Sequence, residues 1–104
     1  MVKTERLSRW IFSEPTWMPH AQGCGDSLIE FLATRNTTNF YCAITQAAVT
    51  DYFRTEDSSI GALITYKQYA DRIHSVAAKL INQGDVHSSG YYLITTELAN
   101  RYQL

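Results

Sequence analysis

The apolar positions along the chain change period twice, from two to about 3.6 and back to two. In residues 6–12, Leu7, Arg9 and Ile11 alternate with Ser8, Trp10 and Phe12, and the run ends in an aromatic and β-branched cluster, which predicts a strand. Residues 14–25 hold both prolines and two of the five glycines, and predict a long loop. "SLIEFLATR", residues 27–35, fits two templates. As a strand it aligns Ile29, Phe31 and Ala33; as a helix it aligns Leu28, Ile29 and Leu32. The next residues decide between them. "NTTN", residues 36–39, is turn chemistry, because short polar side chains bond their own backbone. "FYCAIT", residues 40–45, then reads as a second strand, so a hairpin with a first strand over residues 27–34 is expected.

Beyond residue 45 the helical period takes over. Thr45 can cap a short helix, "QAAVTDYF", with Ala48, Val49, Tyr52 and Phe53 apolar. Residues 54–59 form a polar loop ending in cap residues. From there Ile60, Leu63, Ile64, Ala70, Ile73, Ala77, Leu80 and Ile81 follow helical spacing, opposite Lys67, Asp71, Ser75 and Lys79. The pattern predicts a helix over residues 59–83, broken near Thr65 and ended by Gly84. A loop over residues 85–90, a strand over 91–95 and a terminal turn of helix complete the order β-β-β-α-α-β-α. Strands grouped ahead of helices imply an α+β fold: a mostly antiparallel sheet of about four strands, with a long and a short helix on one face.

Totals narrow the function classes. The 104 residues suit one domain, 1–104, large enough to bury a core without staples. With 45% hydrophobic and 18% charged residues the composition is globular, and a net charge of −1 offers no basic field for nucleic acid. The opening "MVKTERLSRW" lacks the apolar core of a signal peptide, and no apolar run approaches a membrane span. A cytoplasmic location is therefore expected, where two cysteines, Cys24 and Cys42, stay reduced.

Three stretches together, "IEFLATRNTTNFYCAITQAAVTDYF", "YKQYADRIHSVAAKL" and "GYYLITTEL", resemble the DUF1488 family of small bacterial proteins. That family's pattern is an apolar strand, a turn, a strand with cysteine ahead of an isoleucine or valine (Cys42, Ile44), and a Ser/Thr-started short helix (Thr45). It continues with an I-x-x-[IV]-A helix core (Ile73, Val76, Ala77) and a last strand ending near T-x-[DE]-L (Thr95, Glu97, Leu98). The resemblance covers about residues 28–98 and implies a fold and a bacterial cytosolic origin, without an activity. Ala70 and His74 stand where the family tends to carry an arginine and an acidic residue, although Arg72 is close by.

Candidate chemistry concentrates in "PHAQGCGDS", residues 19–27. Its "CGDS" has the C-x-x-S form of thiol redox sites, but no strand leads into it and no proline follows Pro19 to face it. His20, Cys24 and Asp26 amount to three metal ligands without recognisable pairing, and the residues favour a glycine-rich loop. Cys42, between Phe40 and Ile44 on a strand face, reads as core. Trp17 either folds back over the core, the favoured reading, or anchors a contact surface. No catalytic, cofactor-binding or metal residue is assigned, and no cofactor is expected. The favoured expectation is a non-enzymatic cytoplasmic protein-interaction or regulatory module, with an unknown protein partner or with itself in a dimer. A membrane partner is not expected. The alternative is a nucleic-acid-binding regulator using the helical pair at residues 46–83, disfavoured because "SSIGALIT" opens the second helix without side chains that read base edges. A thiol-dependent enzyme or sensor at Cys24 comes third.

Overall fold

Ten consecutive residues, Asp26–Arg35, form the central strand from which the rest of the architecture follows. The computed structural model describes residues 10–21, 26–54 and 58–104. Within them run β1 (Trp10–Phe12), β2 (Thr16–Ala21), β3 (Asp26–Arg35), β4 (Thr38–Thr45), α1 (Gln46–Phe53), α2 (Ser59–Gln68), α3 (Ala70–Gln83), β5 (Tyr92–Ile94) and α4 (Thr96–Arg101). The fold is α+β, as the grouping of periods predicts.

The hairpin forms as expected. β3 and β4 pair antiparallel from Leu28↔Thr45 to Arg35↔Thr38. The turn between them needs a left-handed residue, which Asn36 supplies at φ 60; asparagine tolerates that region better than most side chains. β5 lies parallel to β4, with Ala43 opposite Leu93. A parallel neighbour requires a crossover, and the three helices α1 to α3 provide it.

On its other side β3 meets a strand where the sequence predicts a loop. β2 pairs with β3 antiparallel, Trp17 opposite Ile29 and Met18 opposite Leu28, so the sheet has five strands rather than about four. β1 continues the same edge, with Phe12 opposite Ala33. The two prolines hid this strand. Both are tolerated because an edge strand has one row of backbone groups that needs no ladder partner. Pro15 falls between β1 and β2, and Pro19 lies where the register shifts between Met18 and Ala21. Ser13 bridges the first interruption: its N–H donates to the Leu32 carbonyl at 3.0 Å, and its Oγ accepts from the Leu32 N–H at 2.9 Å.

Alternation along the strands sends Ile29, Phe31 and Ala33 of β3 and Cys42 and Ile44 of β4 to one face. All are buried in the same core as Ala48, Val49, Ala62, Tyr66, Ile73, Ala77, Leu80 and Ala99 of the helices. Every described helix therefore covers this one face. Thr45 caps α1, its hydroxyl accepting from the Ala48 N–H at 3.0 Å, and Ser58 caps α2 through the Gly61 N–H. Gly84 ends α3 at φ 69.

The long helix breaks at Tyr69, not near Thr65, and that changes which residues face inward. After the break α3 buries Ile73, Ala77, Leu80 and Ile81 as its spacing predicts. Before it, α2 buries Ala62, Thr65 and Tyr66, and turns Ile60 and Ile64 out to 71% and 61% exposure. One continuous helix would keep both segments on a single stripe. Two helices orient independently, so the predicted placement of Ile60 and Ile64 in the core does not hold. Among the described residues, no helix is long and apolar enough to cross a membrane.

Candidate functional site

The opposite face of the sheet carries the other half of the alternation. At one end Leu28, Ala43 and Leu93 form a small buried cluster with Met18 and Tyr91. Tyr91 anchors it by donating its phenol to Glu30 Oε2 at 2.8 Å. At the other end the strands are open. Ile11 pairs with Thr34, and Leu32 pairs with Tyr41, so these four side chains lie on adjacent strands of one face. Ile11 is 70% exposed and Tyr41 58%. Thr34 donates to Asn39 Oδ1 at 2.7 Å, and none of the four side chains carries a charge.

Below the sheet's covered face sits an ionisable cluster that sequence reasoning missed. His74 of α3 stacks on Phe12 with centroids 3.9 Å apart and planes 10° from parallel, and Phe31 approaches it at 5.3 Å. Its Nε2 is 2.8 Å from the hydroxyl of the buried Tyr66. Desolvation lowers the imidazole to about 4, with Asp71 pulling weakly the other way. Burial also raises Tyr66, with the negative charges that Cys42 and Glu14 can carry adding to it. Both groups are thus neutral at pH 7: a hydrogen bond that ties α2 to α3 across the break. Eight residues of sequence separate the pair, and only the break at Tyr69 brings them face to face. His87 has a separate, local role, holding Ser89 Oγ at 2.8 Å in the loop before β5.

Trp17 is half-buried and packs against the main core, which is the folding-back arrangement. His20 falls in β2 and Asp26 opens β3 opposite Ala21. The side chains of His20 and Asp26, and the whole of Cys24, lie outside the described residues. Cys42 is a free thiol with no exposed surface. Desolvation, partly offset by a main-chain hydrogen bond at Ala33, pushes it up to about 12, so it holds its proton at neutral pH. Among the described residues no three of His, Cys, Asp and Glu gather as metal ligands. In the helical pair, the exposed positions of α2 are Ile60, Ile64, Lys67 and Gln68.

The chain matches the family described as "Protein of unknown function (DUF1488)" over residues 16–94, and it belongs to that family. Neither the curated proteins nor the solved structures contain a match to it. Of the open patch, Leu32, Thr34 and Tyr41 fall inside the matched range and Ile11 lies before it.

Proposed function

We propose that this DUF1488 protein is a non-enzymatic module that works through protein contacts made on the open end of its sheet, in the cytoplasm of a bacterium. The observation that carries this reading is the exposure of Ile11 and Tyr41 on a face that no described helix covers. Burying a side chain of this size is worth about 1.5–3 kcal/mol, so a partner that covers both gains a usable fraction of a binding energy. The four side chains of the patch carry no charge and include an aromatic ring, which suits a protein surface better than a small polar substrate. The family resemblance and the free thiol at Cys42 support the cytoplasmic setting. The helical pair is the weaker reading: Ile60 and Ile64 offer a base edge nothing to bond.

A photo-crosslinking amino acid placed at Tyr41 tests the proposal inside cells, with the same group at the exposed Asp51 of α1 as the control. A reproducible adduct from position 41 and none from position 51 is the expected result. An adduct of twice the 11.8 kDa chain mass identifies self-association, and any other mass a different protein. The same adducts from both positions, or none from position 41, would refute the reading.

A further inference from the structure

A carboxylate stands beside the apolar patch on the open sheet face. Glu30, Leu32 and Thr34 follow one another on that face of β3, and Glu30 is opposite Ala43 of the buried end. Tyr91 donates to Oε2 of Glu30, and among the described residues Oε1 has no partner. No described cation shares this face. Arg35 points to the covered side, where it bonds Asn82 of α3 and lies over the Trp10 ring. Arg54, Lys67, Arg72, Lys79 and Arg101 belong to helices or their ends. The face is therefore apolar from Ile11 to Tyr41 and negative at Glu30.

A second surface carries the same pattern with the opposite sign. Ile60, Ile64 and Lys67 form one exposed stripe of α2, each a turn after the last. The stripe points away from the core, which α2 enters through Ala62 and Tyr66. Among the described residues Lys67 has no ion-pair partner. The lengths agree. Ile60 to Lys67 rises about 10 Å along a helix, and Glu30 to Thr34 spans about 13 Å of strand. An apolar helix stripe and a bare sheet face are surfaces that proteins pack together. Here one lies on the outer side of the helices and the other on the bare side of the sheet, so they cannot meet within one chain.

We infer that the open sheet face receives α2 of a second copy of this chain, with Ile60 and Ile64 on the Ile11, Leu32 and Tyr41 surface and Lys67 on Glu30. The inference rests on the sheet patch being a contact surface, and it names the partner. A second copy fits because the chain itself carries the complement: two apolar side chains and a charge of opposite sign at matching spacing. Sheet against sheet would cover Glu30 with no cation to meet it, which a desolvated carboxylate opposes. The contact is heterologous: each copy gives its stripe and receives another, so copies add head to tail. A helix of this length covers roughly a few hundred Å² per partner, below the about 1,200 Å² in total of a standard interface, so the association is weak and reversible.

Sedimentation velocity of the purified chain over a concentration series, up to about 1 mM, tests it with two variants. Tyr41→Lys spoils the sheet face and keeps the stripe; Ile64→Glu spoils the stripe and keeps the sheet face. Both positions are exposed, and a thermal melt of each variant confirms the fold. The expected result is association of the wild type that grows with concentration, and monomers from each variant alone. An equal mixture of the two variants regains one contact, and gives a species of twice the 11.8 kDa chain mass and nothing larger. Lys67→Glu, which sets two carboxylates together, weakens the wild-type association by about tenfold. A monomeric wild type at the highest concentration, association of Ile64→Glu alone, a mixture that stays monomeric, or indifference to Lys67→Glu overturns the inference. The crosslink at position 41 keeps the two readings apart. An adduct of another mass there, with a monomeric wild type, removes the second copy and leaves the patch; no adduct removes the patch itself.

Discussion

The neutral imidazole of His74 makes stability depend on pH in a calculable way. In the unfolded chain a histidine takes its proton near the ordinary 6.5; in the folded protein burial holds His74 to about 4. Below 6.5 the unfolded state binds a proton that the folded state refuses. The stabilisation is therefore complete above 6.5 and is lost progressively as the pH falls towards 4. Between pH 7.5 and pH 5.0 these two values correspond to a loss of about 2 kcal/mol. The ring is half-buried, so water relieves part of the penalty, and a loss of about 1–2 kcal/mol is expected. With a urea m-value of about 1.5 kcal/mol/M for a chain of this size, the midpoint moves down by about 1 M.

Carboxylates also begin to titrate near pH 5, so the measurement is a difference of differences. His74→Gln keeps a polar partner for the Tyr66 hydroxyl and cannot gain a charge. Urea unfolding of both proteins at pH 7.5, 6.0 and 5.0 isolates the histidine contribution, and NMR titration of the His74 ring reads its protonation directly. The wild type loses about 1–2 kcal/mol more than the variant over this interval. Equal losses in the two proteins, or a ring that titrates near 6.5, would show that the Phe12–Tyr66–His74 packing does not keep the imidazole neutral.

Three further outcomes follow from local geometry. Gly84→Ala destabilises by about 1 kcal/mol in urea unfolding and Gly84→Asn by less, because open space surrounds the added Cβ and only the left-handed φ opposes it. Thr45→Ala costs about 1 kcal/mol by removing the cap on the Ala48 N–H, and Thr45→Ser restores most of it. In a Cys24→Ser chain at pH 8, Cys42 stays unreactive towards a disulfide reagent in the native protein and reacts at the rate of a free thiol in urea; fast native reaction would contradict its burial.

The hairpin β3–β4 was legible because two local signals agreed. Alternation put Ile29, Phe31 and Ala33 on one face, and "NTTN" supplied a residue able to turn left-handed. The caps at Thr45 and Gly84 were legible for the same reason: a cap acts within three or four residues of its own position. β2 was not. Its prolines and nearby glycines are loop residues by local propensity, and only the edge of β3 makes them a strand. The open patch was hidden as well, since no local rule distinguishes the alternating face that helices cover from the one they leave bare. Of the candidate site residues, Trp17 was the one whose placement could be read, from the tendency of a large apolar ring to be buried.

What this sequence determines by itself is the kind of every element but β2, and the places where the chain must turn. Period, caps and turn residues act over a few positions, and their free energies do not depend on distant contacts. The tertiary structure decided the rest. It split the long helix at Tyr69, which turned Ile60 and Ile64 to solvent and brought Tyr66 to His74. It drew a proline-bearing segment into the sheet as an edge strand. It folded Tyr102 and Leu104 back beside Lys79 and Arg72, where Arg72 donates to the main-chain oxygen of Leu104. Each of these depends on which surfaces the helices cover, and that is settled by burying apolar area across the whole molecule rather than by any residue's own preference.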